Sequence, residues 1–305
     1  MVRPNTVIVG GPKCGTSSLA SYLGQHPHAF ISNPKEPLYW ATDYPNVTSK
    51  MPQPIDTLCK YEGLFAEAHH CSVRAEASAI YLSSDSAVRN LLQYAPEIKF
   101  IALVRNPVDL VYAYHQQMLF AHFEDEADFE TAWGLQPTRV QGERVPVNCP
   151  SPELLHYRRI GSLGQQIERF FDAVPASQRI VFRFDQLVKE PRVVWRKLLD
   201  FLDLEDDGRI EFPVVNQAKS HRFRMISTMI MSPPALLQPL AGRLRTWSRT
   251  NDNAVLRLAK TALKRQAARH PLRPEFRQLL TEDFRKDTEL LAKLLQCDLK
   301  EWTSA

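Results

Sequence analysis

The sequence predicts an α/β protein with a central, mostly parallel sheet covered by helices on both faces. Three observations predict it. Apolar runs of four to seven residues alternate with stretches of helical period, the mark of strands joined by crossover helices. A glycine-rich turn joins the first of these runs directly to a helix. The chain has 305 residues, 44% hydrophobic and 24% charged, the composition of a globular protein that buries a sizeable core.

The elements follow in chain order. Thr6–Val9 reads as a buried strand and Ser17–Leu23 as the start of a helix. Lys99–Val104 is a second strand, and Pro107–Leu119 a helix with proline in its first turn. Arg179–Phe184 is a third strand. Pro191–Leu202 is a helix whose apolar face holds Val194, Leu198, Phe201 and Leu202, and Glu275–Leu295 is a long amphipathic helix. No internal repeat or low-complexity linker interrupts them. The expected organisation is a single domain over residues 1–305, with a ligand-binding core at 1–225 and a helical C-terminal part at 226–305 that could wall a second substrate's site.

Other classes are excluded early. No apolar run reaches the about 18 residues of a transmembrane helix, and the run after Met1 is too short for a signal peptide. The 38 Lys and Arg against 34 Asp and Glu give a net charge of +4, which compels no nucleic-acid partner. The five cysteines have no CxxC spacing, so neither zinc nor a disulfide framework is indicated, and a reduced, cytoplasmic setting is expected.

Parallel sheets bind ligands at the carboxyl ends of their strands. After the first strand comes Gly10-Gly11-Pro12-Lys13-Cys14-Gly15-Thr16-Ser17-Ser18-Leu19. Its glycines let the backbone turn tightly, and the helix that follows offers free amides and a positive dipole end to an anion. One lysine and three hydroxyls converge there, so the segment reads as a phosphate cradle in a P-loop-like fold. It is not a Walker A loop, in which lysine directly follows the last glycine; Thr16 holds that place here.

These residues resemble the sulfotransferases that use 3′-phosphoadenosine 5′-phosphosulfate (PAPS), in the heparan-sulfate-type and related bacterial branch. Pro12–Leu19 matches the first signature of that family, Pro-Lys-x-Gly-Thr-[Ser/Thr]-x-Leu. Arg105-Asn106-Pro107 matches the start of the second, after which Leu110, Val111 and Ala113 depart from it; Ala113 replaces a serine that helps bind the 3′-phosphate. Lys35-Glu36-Pro37-Leu38-Tyr39-Trp40 resembles the Lys-Glu-Pro-His-[Phe/Tyr]-Phe segment, and Glu76–Leu82 a Glu-x-Ser-Pro-x-Tyr segment lacking its proline. Phe184–Leu187, Pro191 and Phe201–Leu204 match a later segment. Asn216 and Lys219–Arg222 stand where a basic loop closes over the nucleotide. The likeness covers about residues 5–225.

The resemblance implies PAPS as co-substrate, with no metal. It places Lys13 on the bridging oxygen of the leaving group. Lys13, Cys14, Gly15, Thr16, Ser17 and Ser18 would hold the 5′-phosphosulfate, Arg105 the 3′-phosphate, and Lys219 and Arg222 would close over the nucleotide. Glu36 occupies the place of the general base, with Lys35, Tyr39 and Ser78 as candidates for the acceptor pocket. His115, His69 and His70 compete for the base, since another branch of the family uses histidine. The acceptor stays open: a sugar hydroxyl or amine, a lipid or a small natural product. Residues 243–269 carry eight Lys and Arg against Asp252 alone, either a solvated helical face or a surface that draws an anionic acceptor or a membrane. The rival functions are a P-loop nucleotide kinase or NTPase, and a non-catalytic nucleotide-binding module.

Overall fold

The computed structural model describes residues 2–44, 47, 54–213, 219–221, 264–266 and 271–304. The chain divides into two compact units. One comprises Met1–Tyr114, His156–Asn216 and Arg273–Ala305, and the other His115–Leu155 and Gln217–Leu272.

The first unit opens with β1 (Thr6–Ile8), α1 (Thr16–Leu23), β2 (Ala29–Ile31), α2 (Leu58–Gly63), β3 (Val73–Ala77), α3 (Ala87–Tyr94) and β4 (Lys99–Val104). Helix α4 (Pro107–Phe120) runs from it into the second unit, which holds α5 (Phe129–Gly134) and α6 (Gln136–Val140). The chain then returns to the first unit with α7 (Tyr157–Gly161), α8 (Leu163–Ala173), β5 (Arg179–Arg183), α9 (Phe184–Lys189) and α10 (Pro191–Leu202). In the second unit β6 (Lys219–His221) pairs antiparallel with β7 (Lys264–Gln266). Helices α11 (Pro274–Leu295) and α12 (Lys300–Thr303) close the first unit.

The sheet of the first unit has five strands in the order β2-β3-β1-β4-β5, all parallel, with helices around it. Its centre is apolar because it is covered from both sides: every residue from Phe100 to Val104 is fully buried. Strand β1 lies in the middle, so the loop that follows it opens above the sheet between β3 and β4. Gly10 is required there. A Cβ at this position would stand 1.9 Å from the backbone nitrogen of Leu103 on β4.

Helix α11 packs on α8 and caps it. The Asp287 carboxylate accepts from the amides of Gly164 at 2.7 Å and Gln165 at 3.0 Å, the first-turn donors that a helix cannot satisfy itself.

Two expectations need correction. Residues 219–221 form a strand and not a loop, and Lys264–Gln266, inside the stretch read as helical, is its partner. A ladder between segments this far apart in sequence leaves no local period to read. Of the basic stretch 243–269, only 264–266 lie within the described residues.

Candidate active site

The loop between β1 and α1 is built by two left-handed residues on either side of Cys14. Lys13 has φ 62° and Gly15 φ 90°. The first is strained for a residue with a side chain, by about 1 kcal/mol or more, and persists only where its surroundings hold it. The second needs glycine twice over, since a Cβ would also lie 2.9 Å from Leu187 and 3.0 Å from Phe184 on α9. Cys14 between them turns inward: it is fully buried, its amide donates to Gly11 O at 3.3 Å, and burial pushes its thiol up to about 12. It therefore shapes the loop, and neither its side chain nor its amide faces outward as a phosphate ligand.

The first intrahelical bonds of α1 are those from the Ser18 and Leu19 amides to Gly15 O, at 3.0 and 3.1 Å. The Thr16 and Ser17 amides precede them, and no side chain caps this end of the helix. Two donors and the positive dipole end are thus directed at whatever sits on the loop. The hydroxyls of Thr16 and Ser17 lie on the same turn; that of Ser18 faces the hydroxyl of Tyr22.

Arg105 follows β4 and reaches back to this loop. Its Nη1 donates to Lys13 O at 3.1 Å, and its guanidinium lies 4.6 Å over the ring of Phe184. Asn106 then starts α4, its side chain accepting from the amides of Val108 and Asp109 at 3.0 and 3.3 Å. Leu110, Val111 and Ala113, the departures from the second signature, are buried at 1% exposure or less. That face of α4 belongs to the core, so a hydroxyl at position 113 would enter apolar surroundings.

The segment 33–40 crosses the end of β3. The Glu36 amide donates to Ala77 O at 3.0 Å, and Lys35 Nζ pairs with Glu36 Oε1 at 2.9 Å, both side chains partly exposed. Glu36 and Leu38 are left-handed, with φ 64° and 59°. Below them lies Glu76, the penultimate residue of β3 and fully buried. Tyr61 donates to its Oε1 and Ser78 to its Oε2, both at 2.7 Å. Burial pushes the Glu76 carboxyl up to about 7; the hydrogen bonds of Ser78, Tyr61 and Tyr81 oppose the shift and the charge of Glu36 adds to it. Ser78 is thus engaged inside the protein and does not line an acceptor pocket. Tyr39 stacks on Tyr61, ring centroids 5.2 Å apart. The sequence marks Glu76 as the start of a family-like segment but not its burial or its bond to Tyr61, which comes from a different element.

The profile of one family, the sulfotransferase domain, matches residues 3–218. The chain belongs to the sulfotransferase domain family. Among curated proteins this sulfotransferase is 25% identical over 219 residues to a Caenorhabditis briggsae bifunctional heparan sulfate N-deacetylase/N-sulfotransferase 1, covering 67% of this chain and 23% of that protein. It is also 25% identical to a mouse heparan sulfate glucosamine 3-O-sulfotransferase 6, covering 66% of this chain and 53% of the mouse protein. The chain therefore spans about half or less of the length of these relatives. Among solved structures, a sulfotransferase from Alicyclobacillus acidocaldarius superposes with a TM-score of 0.73 at 22% identity, over the whole of both chains, which shows a shared fold.

The other residues expected at the site of a sulfotransferase are described by the unit that holds them. Lys219 is in β6 of the second unit, and Arg222 lies outside the described residues. His115 is fully buried in the second unit, its Nε2 2.9 Å from Glu126 O and its Nδ1 3.3 Å from Gln116, and burial lowers its pKa. It is a structural histidine. His69 and His70 are exposed on the turn before β3. Among the described residues, no group of three His, Cys, Asp or Glu is arranged to hold a metal, and no helix is long and apolar enough to cross a membrane.

Proposed function

We propose that the chain, acting as one domain over residues 1–305, transfers a sulfuryl group from PAPS to a hydroxyl or amine of a carbohydrate, lipid or small natural product. The observation that carries this reading is the bond from Arg105 to Lys13 O. It joins the two family signatures at one loop, so a cation on the β1 side and a cation on the β4 side serve the same anion. The donor set fits a nucleotide with phosphates at both ends: amides and hydroxyls of Thr16 and Ser17, the ammonium of Lys13, and the planar fork of Arg105.

When bound, PAPS supplies an activated sulfuryl group on a phosphate leaving group. Lys13 sets a point charge where negative charge grows on the leaving oxygen, the kind of fixed donor that lowers a transfer barrier most. Gly15, Thr16 and Ser17 hold the loop end of the nucleotide in line, and Arg105 its 3′-phosphate; Ser18, with its amide and hydroxyl turned to Gly15 and Tyr22, supports the turn beneath them. Lys219 and Arg222 would close over it. Glu36 takes the proton of the acceptor hydroxyl; Lys35 and Tyr39 flank it and meet the acceptor. His115, with both ring nitrogens engaged, does not compete for that role.

The NTPase reading loses on Glu76. It is an acid near the end of a strand beside the loop, the place of a magnesium ligand, yet both its oxygens accept from side chains at 2.7 Å. Calorimetry tests the choice: adenosine 3′,5′-bisphosphate should bind in preference to ATP, and preferential ATP binding would refute the proposal. For the base, Glu36→Gln should keep nucleotide affinity and lose turnover by about 100-fold or more on a hydroxyl acceptor found by screening with labelled donor. A near-normal rate would remove Glu36 from the role.

A further inference from the structure

Segment 33–40 holds an unfavourable backbone shape. Glu36 and Leu38, two positions apart, are both left-handed without being glycine. Such conformations persist where the surroundings over-determine them. Three hydrogen bonds hold this stretch from below. Glu36 N donates to Ala77 O at 3.0 Å, Leu38 N to Ser78 Oγ at 3.3 Å, and Trp40 N to the Tyr81 hydroxyl at 3.2 Å. The last two anchors are hydroxyls that also face the Glu76 carboxyl.

We infer that Glu76 is a positioning residue, which aims Glu36 by orienting the Ser78 and Tyr81 hydroxyls that anchor the loop. The inference rests on the reading of Glu36 as base. A hydroxyl has one proton. With Ser78 giving its proton to Glu76, a lone pair is left for the amide of Leu38. An ionised carboxylate accepts only, so it can take protons from Tyr61, Ser78 and Tyr81 together. A glutamine at 76 offers one accepting oxygen and an NH2 that donates, so one of these hydroxyls must turn and release its hold. The carboxyl's own surroundings make the protonation state matter near neutral pH. Facing it are Tyr61 from α2, Ser78 and Tyr81 from the turn after β3, and Glu36 from the loop, whose charge Lys35 balances.

The test uses the full chain with adenosine 3′,5′-bisphosphate bound. The side-chain carboxyls of Glu and the amides of Leu38 and Trp40 are followed by NMR as pH is raised from 5 to 8.5. The Leu38 and Trp40 amides should move with the midpoint of the Glu76 carboxyl and stop moving in Glu76→Gln; amides indifferent to both overturn the inference. Should Glu76→Gln fail to fold, Tyr61→Phe removes one donor: the carboxyl midpoint should rise and carry the two amide titrations with it, and amides that stay behind again overturn the inference. Kinetics supply the second arm, as release of adenosine 3′,5′-bisphosphate from PAPS with an unsulfated heparosan oligosaccharide and with water alone. Glu76→Gln should lower kcat by about 10- to 100-fold, the scale of a slight misplacement, with KM for PAPS unchanged. In a Glu36→Gln background the same substitution should cost little more; an equal loss in both backgrounds means Glu76 does not act through Glu36. A Glu36→Gln protein of normal rate would sink the base reading, while the amide titrations still report whether Glu76 holds the loop.

Discussion

The carbonyl oxygen of Lys13 accepts a hydrogen bond from Nη1 of Arg105, 92 residues further along the chain. The arginine therefore holds the loop, and in the proposed reading it also meets the nucleotide's 3′-phosphate. Arg105→Ala should weaken adenosine 3′,5′-bisphosphate by about 10- to 100-fold, the scale of a lost charged hydrogen bond, and adenosine 5′-phosphate by clearly less. Arg105→Lys should restore little, because an ammonium lacks the fork. Calorimetry with both nucleotides decides; equal losses would leave the arginine only its support of the loop.

Lys13 combines a left-handed backbone with the cation assigned to the leaving oxygen. Two substitutions separate these. Lys13→Ala should lose turnover by about 100-fold or more while nucleotide affinity falls much less. Lys13→Gly should be as inactive but more stable than Lys13→Ala by up to about 1 kcal/mol, since glycine accepts positive φ. Turnover and urea midpoints on the pair test this, and an active Lys13→Gly protein would remove the lysine from catalysis.

Glu76 gives stability a sign with pH. Its carboxyl is raised in the folded state from 4.5 to about 7. Between these values the folded protein holds a proton that the unfolded chain has released, so stability falls as pH rises through that window and levels off above it. The span corresponds to about 3 kcal/mol as an upper scale. Glu76→Gln has no such dependence. Its stability relative to the parent should improve from pH 5 to pH 8, read by urea unfolding; a difference independent of pH would contradict the burial argument.

In the second unit, Arg139 and Glu124 form a fully buried pair with two bonds of 2.6 and 2.7 Å. Glu124 also accepts from the amides of Asp125 and Glu126 at 2.9 Å. Removing the arginine leaves a carboxylate without its counter-charge, so Arg139→Ala should destabilise by about 3–5 kcal/mol. Arg285→Ala, which breaks an exposed i,i+3 pair with Glu282, should cost less than about 1 kcal/mol. Chemical denaturation of both variants measures the contrast.

What could be read from the sequence was what is local. β1, β4 and β5 are runs rich in apolar residues, and Lys13 through Ser18 are one contiguous stretch of loop and helix start, so strands and cradle are both legible. β2 has three residues, and β3 alternates small residues with Arg74 and Glu76, a pattern that does not announce a strand buried in a sheet. Ser78 reads as a pocket residue from the sequence, but its hydroxyl donates to Glu76 and accepts from the Leu38 amide, which makes it a loop anchor. His115 reads as a candidate base from the sequence, while its bonds to Glu126 and Gln116 hold it inside the second unit. These outcomes depend on which side chains meet across elements, and one stretch of sequence does not carry that.

The left-handed backbone at Lys13, Glu36 and Leu38 has a consequence for how the site can diversify. Glycine, asparagine and aspartate enter such positions with least strain, and branched side chains with most. None of those three carries a long cation, and only aspartate keeps a carboxylate, on a shorter stem. In the proposed reading, changes of acceptor preference are therefore channelled to neighbours on ordinary backbone, Lys35 and Tyr39, which can vary in size and charge while the proposed base stays where it is. A saturation library over residues 35–39 should return its gain-of-specificity variants from those flanking positions, with 36 and 38 nearly silent.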